Sequence, residues 1–273
     1  MANKNILEAP FVNEMKKTTQ NMYQHGWDER NGGNISYILN ESELEDYLDL
    51  SDVTREIPLI FDASELAGKY FIVTGTGKYF KNVEEAPETN LGIVRVQEKG
   101  HALDLLWGYE DGGLPTSELP SHFMTHISRL KVDPENKVVM HCHATNLLAM
   151  TFTFSLDERL FTRILWQMCT ESLVVFPDGI GVLPWIIPGT NEIGEATAEK
   201  MRTSRLVIWP FHGVYGAGKN LDETFGLIET AEKAAQVYTL TQCQGGIKQT
   251  LTDQNLRDLA AAFHVTAKAG YLE

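Results

Sequence analysis

Residues 91–108, LGIVRVQEKGHALDLLWG, limit the fold more than any other stretch of this 273-residue chain. Two runs rich in Leu, Ile and Val flank a short polar turn, EKG. A connection that short joins antiparallel strands, because parallel neighbours need a crossover of a dozen or more residues. Further strands are expected at 35–39 (ISYIL), at 70–75 (YFIVTG), and in KVVMHCH, SLVVF and IGVLPWI. RLVIWPFHGVYGAG is expected as a strand entering a turn. Helical spacing of Phe11, Met15, Thr18 or Thr19, and Met22 predicts a first helix over 10–25. SELPSHFMTHISRL, with Ser117 as N-cap, ATNLLAMTF and LDERLFTRILWQMC are also expected as helices. So are TNEIGEATAEKMRTS, capped by Thr190 or Asn191, the long LDETFGLIETAEKAAQVYTLTQ and a short closing helix. Hairpins outnumber βαβ units. The expected α/β fold is a three-layer α/β/α sandwich around a mixed, largely antiparallel sheet, not a doubly wound parallel one.

No linker or internal repeat divides the chain, so residues 1–273 are expected to form one domain. The polar stretch NESELEDYLDLSD at 40–52 suits a solvated loop or insertion and is too short to be a boundary. A formal charge of −14 disfavours a broad contact with nucleic acid or with an anionic membrane. An anionic substrate would need local donors, because the global field repels it. The three cysteines, Cys142, Cys169 and Cys243, are widely spaced and form no CxxC pair, which suits a reduced, cytoplasmic compartment. MANKNILEAPFVNEM lacks the apolar core of a signal peptide. Asp, Gly and Pro interrupt the longest apolar stretches, so no transmembrane helix is expected.

The stretch VVMHCHATN carries His141 and His143 one residue apart at the end of an apolar run. In a strand they project to one side and Cys142 to the other. An isolated pair of this kind is equally compatible with a metal site and with partly buried histidines bound to backbone groups. A catalytic zinc site commonly takes three protein ligands and leaves one position open. Of the eight histidines, His25 and His101 adjoin turn glycines and His264 lies in the terminal segment, so all three are expected at the surface. His122 and His126 share a helix face, but HFMTH lacks the glutamate of HExxH, and a solvated or capping role is expected for them. His212 ends another apolar strand, in LVIWPFHG. Three histidines at two strand ends favour a metal.

The segment GVYGAGKN competes with that site for attention. It fits the phosphate-binding GxxxxGK pattern, except that Asn220 replaces the Ser or Thr whose hydroxyl ligates magnesium. No apolar strand ending in Asp offers the second half of such a site. The plainer alternative is a glycine-rich turn into a helix capped by Asp222.

Glu118 opens a helix in LPTSELPSH, where a carboxylate can ligate a metal, move protons, or simply answer the helix dipole. Glu171, at a helix-to-strand junction, leaves the same choices open. RNGGNIS (30–36) and TGTGKYF (74–80) are glycine-rich turns at strand ends, where backbone N–H groups can approach an anion closely. Asn31, Asn34, Thr76, Thr116 and Ser117 would add side-chain donors. Each turn alone is ordinary; both, with a metal triad, point to a phosphorylated substrate.

RNGGNIS, TGTGKYF, PTSELPSH, MHCHATN and WPFHGV, in that order, resemble the class II aldolase/adducin family and run from the first helix to the last. The resemblance implies one Zn2+ per subunit, held by His141, His143 and His212 and often by a glutamate, here Glu118. It implies cleavage of a phosphorylated ketose through a metal-stabilised enediolate, yielding dihydroxyacetone phosphate and an aldehyde. Glu118 would be the acid/base at the enediolate carbon, and Glu171 a second proton-handling group nearer the aldehyde. The phosphate would rest on Asn31, Gly33, Asn34, Thr76, Thr116 and Ser117. Thr76 stands where a serine is common and keeps the hydroxyl. A homotetramer with sites at subunit contacts is implied as well. A ribulose-phosphate 4-epimerase of the family shares this chemistry, and a non-catalytic adducin-like module shares the fold; intact His141, His143, His212 and Glu118 argue against the latter.

Overall fold

A computed structural model describes residues 4–272. The expectation of one domain over 1–273 therefore includes four end residues that lie outside the described ones. Among the described residues nine strands form one sheet. They are β1 (Asn34–Leu39), β2 (Arg55–Pro58), β3 (Tyr70–Thr74), β4 (Leu91–Val96), β5 (Ala102–Gly108), β6 (Val138–Cys142), β7 (Ile180–Val182), β8 (Leu206–Trp209) and β9 (Gly213–Gly218). The order across the sheet is β2-β5-β4-β3-β1-β6-β9-β8-β7. Only β7 and β8 run parallel; the other neighbours are antiparallel. The mixed sheet and the β4–β5 hairpin are as expected.

The helices are α1 (Pro10–Gln24), α2 (Glu41–Leu44), α3 (Pro87–Asn90), α4 (Leu119–Val132) and α5 (Thr145–Thr153). They continue with α6 (Glu158–Met168), α7 (Thr170–Val175), α8 (Asn191–Lys200), α9 (Leu221–Cys243) and α10 (Asp253–Ala262). Alternation along the strands sorts their side chains onto two faces. Ile35, Tyr37, Val138, Met140 and Cys142 share a core with α1, α5, α6, α7, α9 and α10. On the opposite face Ile38, Phe71, Val73 and Val94 meet Phe123 of α4. Val139, Val207 and Tyr215 meet Ile193 of α8. The layers are therefore helix, sheet, helix. Phe123 stacks on Phe71 with ring centroids 4.5 Å apart. Burying a ring of that kind contributes roughly 1.5–3 kcal/mol.

Several local expectations give way to packing. SLVVF is not a strand: Thr170–Val175 is helix α7. Leu173 and Phe176 are both fully buried, and their i, i+3 spacing outweighs the β preference of two valines. Ser117 does not cap α4; Glu118 occupies the N-cap position. RLVIWPFHGVYGAG is a hairpin, β8 and β9, so GVYGAG is a strand and neither a phosphate loop nor a turn. The helix after it is capped by Asn220, whose side chain accepts from the Glu223 N–H, and not by Asp222. In 40–52, α2 interrupts the polar stretch and buries Leu44.

Gly216 and Gly218 of β9 serve close packing against α9. A Cβ on Gly218 would lie 2.5 Å from Thr224 Oγ1 and 3.3 Å from the Thr224 backbone nitrogen. Gly218→Ala is therefore expected to lower the unfolding free energy by about 1–3 kcal/mol, as overpacking does. Urea unfolding measures it, and an unchanged midpoint would show that α9 yields at no penalty.

Candidate metal and substrate site

Three strands set the site in one row. Asn34 of β1 and Tyr215 of β9 both pair in register with His141 of β6. All three lie at the same level of the sheet, and the alternation that sends Cys142 into the opposite core turns His141 toward the α4 side. His143 follows β6 directly. His212 sits in the tight β8–β9 turn, where Phe211 is held at φ 62°. That turn, not the end of a single strand, positions His212.

His141, His143 and His212 offer nitrogen atoms that all lie within 4.8 Å of one another. His141 Nδ1 lies 3.1 Å from the Val214 carbonyl. His143 Nδ1 lies 2.6 Å from Glu29 Oε1. With those protons donated, each Nε2 presents a lone pair, and both Nε2 atoms are buried without a hydrogen-bond partner. Burial also pushes His141 well below the usual histidine range and His212 down to about 4, so both rings are neutral near pH 7. Converging imidazoles with buried, unpartnered nitrogens are the donor set of a divalent ion such as zinc, and the Glu29 and Val214 contacts are the outer partners such ligands commonly have. The loop carrying Glu29 can lie against His143 only because Gly32 has no side chain: a Cβ there would come within 2.7 Å of the His143 ring.

Glu118 faces the three histidines. It is 7% exposed, and its Oε2 accepts from Tyr215 Oη at 2.7 Å and from Asn34 Nδ2 at 3.0 Å. Oε2 lies 3.7 Å from His141 Nε2, and Oε1 lies 3.8 Å from His212 Nε2. Burial raises its pKa above the usual carboxylate range, against the two hydrogen bonds, which lower it. A carboxyl raised in this way holds a proton more readily than a solvated one, as an acid/base group must.

A cavity of about 390 Å³ opens over this group. Asn31, Gly33, Asn34, Thr76, Thr116 and Ser117 all line it together with Glu118, His143 and His212. The two glycine-rich turns and the PTS segment therefore converge. Two of these residues also make contacts within the site. The Asn34 amide donates one N–H to Glu118 and turns its oxygen to His122. Thr116 Oγ1 accepts the Glu118 N–H at 3.2 Å. Glu171 is exposed in the first turn of α7 and does not line the cavity of its own chain. His122 and His126 are fully buried rather than solvated, because their shared helix face packs against the sheet. Sequence reasoning missed Glu29, Tyr215 and Arg30, the last being the one Lys or Arg among the cavity residues. Arg30 and Glu29 flank a recognised glycine turn and were within reach; Tyr215 is placed only by the β6–β9 register.

Residues 13–239 match the family model described as the Class II Aldolase and Adducin N-terminal domain. A rhamnulose-1-phosphate aldolase of Listeria monocytogenes serotype 4a (strain HCC23) is 68% identical over 269 residues, 98% of each chain. One from Enterococcus faecalis (strain ATCC 700802 / V583) is 67% identical, over 98% of this chain and 96% of that one. The crystal structure of a sugar-phosphate aldolase from Thermotoga maritima superposes with a TM-score of 0.74 at 30% identity, covering 86% of this chain and 96% of that one.

Two measurements test the local chemistry. Glu29→Ala, which strips His143 of its outer carboxylate, is expected to weaken metal binding about 10–100-fold in a chelator competition; unchanged affinity would make the contact incidental. Beneath the same loop, Asp28 is buried with Oδ1 unpartnered, and burial pushes its carboxyl up to about 7. The folded protein thus holds a proton on Asp28 that the unfolded chain releases near pH 4, so this group's contribution to stability falls as pH rises from about 4 to about 7. Asp28→Asn should flatten the pH dependence of the urea midpoint over that window, and an identical slope in both proteins would refute it.

Proposed function

The chain belongs to the class II aldolase and adducin family, and on that footing we propose that it cleaves L-rhamnulose 1-phosphate to dihydroxyacetone phosphate and L-lactaldehyde. The observation that carries this reading is the convergence of His141, His143 and His212 with Glu118 beside them, next to a cavity that His143, His212, Glu118 and two glycine-rich turns line. It agrees with what the relatives at 67–68% identity are named for. We take residues 1–273 as one catalytic unit, a reading supported by the single sheet that carries every site histidine.

His141, His143 and His212 would hold a divalent ion, which we propose is Zn2+, one per subunit. When bound it supplies a Lewis acid that draws electron density from the ketose carbonyl. The protein's own groups do the rest. The backbone N–H of Gly33 and the donors of Asn31, Asn34, Thr76, Thr116 and Ser117 would seat the phosphate, with Arg30 beside them. These local donors matter because the chain as a whole carries a formal charge of −14. Seating the phosphate places the carbonyl toward the histidines and C3 toward Glu118. Cleavage breaks the C3–C4 bond: the C4 hydroxyl loses its proton to become the aldehyde, and C3 gains one. Glu118 handles the proton at C3. Its buried setting excludes water, and Tyr215 and Asn34 hold it in place. Glu171 remains the candidate for the proton at the C4 hydroxyl. From its exposed place on α7 it would have to be supplied to this cavity by another copy of the chain.

The proposed assembly is a homotetramer with sites at subunit contacts. Trp185 and Ile187, each 60% exposed, stand close in sequence to Pro188, a cavity residue, and Phe211 adjoins His212. Exposed aromatic and aliphatic groups gathered at a cavity support a covered rim. The proposed compartment is the cytoplasm, supported by three free cysteines. Among the described residues no helix is long and apolar enough to cross a membrane. Neither nucleic acid nor a membrane is proposed as a partner.

A coupled assay should detect dihydroxyacetone phosphate released from L-rhamnulose 1-phosphate, lost on chelation and restored by zinc. Glu118→Gln should keep metal and substrate binding while kcat falls by about 10²–10⁴. No release from zinc-loaded protein would overturn the activity, and an epimeric pentulose phosphate formed from ribulose phosphate would replace it with an epimerase.

A further inference from the structure

Behind Glu118 a line of buried polar groups runs away from the cavity into the α4 side of the sheet. Asn34 Nδ2 donates to Glu118 Oε2 at 3.0 Å, and Asn34 Oδ1 faces His122 Nε2. His122 Nδ1 lies 2.7 Å from Ser36 Oγ, which lies 2.8 Å from His126 Nε2. There the line stops: His126 Nδ1 has no partner. His122 and His126 meet the sheet because they are four apart on α4, and Asn34 and Ser36 meet them because they are two apart on β1. His122, His126 and Ser36 are all 0% exposed, and none lines the cavity.

The direction of each bond follows from its neighbour. A carboxylate only accepts, so Asn34 must turn its NH2 to Glu118 and its carbonyl oxygen to His122. That oxygen also only accepts, so His122 must carry its proton on Nε2. Burial pushes His122 down to about 3 and His126 well below the usual histidine range, so both rings are neutral and His122 Nδ1 is an acceptor. Ser36 then donates to His122 Nδ1 and accepts from His126 Nε2–H. The line has one consistent orientation. It cannot relay a proton, because the Asn34 amide interrupts it.

We propose that His126, Ser36 and His122 are positioning residues for Glu118. They lock the Asn34 amide with its NH2 toward the carboxylate. Oε2 is thereby held by two donors, Asn34 and Tyr215, and Oε1 alone is left to handle the proton at C3. Without the His122 donor, Asn34 Oδ1 would be a buried acceptor with no donor, and the amide would no longer be held fixed against Glu118 Oε2. This inference rests on Glu118 being the proton-handling group.

Long-range proton–nitrogen spectra of the ¹⁵N-histidine-labelled, zinc-loaded protein test it directly. Both His122 and His126 are expected as neutral Nε2–H tautomers; a proton on Nδ1 of either ring, or a cationic ring near neutral pH, overturns the orientation. In kinetics, His122→Phe should lower kcat about 10–100-fold, with KM and zinc content held within about twofold. His122→Gln, which restores a donor for Asn34 and an acceptor for Ser36, should recover most of that loss. Unchanged kcat in His122→Phe, or no recovery in His122→Gln, overturns the positioning role. Full activity of Glu118→Gln would instead remove Glu118 from the reaction, an outcome that the tautomer spectra do not depend on.

Discussion

Strand β6 is hydrogen-bonded along both edges, to β1 and to β9, and the site depends on that double ladder. It brings Asn34, His141 and Tyr215 level across three strands. The two flanking residues then reach the same oxygen of Glu118, 3.0 and 2.7 Å away, while the middle one turns an unpartnered nitrogen toward the same carboxylate. A one-residue slip of β6 against either neighbour would send His141 to the opposite core and bring Cys142 to the cavity side. Val138, Val139 and Met140 are buried on alternate faces, so that run stabilises the strand without choosing its register; the choice falls on the polar His141 and the apolar Cys142. The register that stabilises the sheet is the register that assembles the metal donors.

The chain carries a formal charge of −14, and the cavity sets Arg30, two glycine turns and several hydroxyls beside the carboxyls of Glu29 and Glu118, so what favours an anion there is local donors and not a positive net charge. Burial decides the protonation states. It keeps His141, His122 and His126 neutral, so they act as ligands or fixed dipoles and not as charges. It also raises the pKa of Glu118, toward the range where a carboxyl can exchange a proton at neutral pH. Neutral imidazoles beside a proton-competent carboxyl suit a site that must bind a cation and also move a proton.

The parts legible in the sequence were those with a short-range signature. The turn EKG between two apolar runs specified an antiparallel pair, and the HxH spacing specified two imidazoles on one side of a strand. Glycine-rich turns and a PTS segment marked one side of the cavity, and all six residues named from them line it. The failures were equally physical. SLVVF became a helix because Leu173 and Phe176 bury at helical spacing. GVYGAG became a strand because β8 was there to pair with it. Asn34 was legible as a residue of the cavity, but not its contacts with Glu118 and His122, partners 84 and 88 residues away in the chain.

The sequence by itself determined the residue types and local geometries of the site: which nitrogens could bind a cation, which turns could bind an anion, and that the sheet would be mostly antiparallel. These follow from backbone periodicity and side-chain chemistry, which act over a few residues. Only the tertiary structure decided which groups share a hydrogen bond. Tyr215 on Glu118, Glu29 on His143 and the buried histidines behind Asn34 join residues 86–114 positions apart. Such pairs form when strands align and helices pack on them, and no local pattern along the chain records which distant partner will arrive.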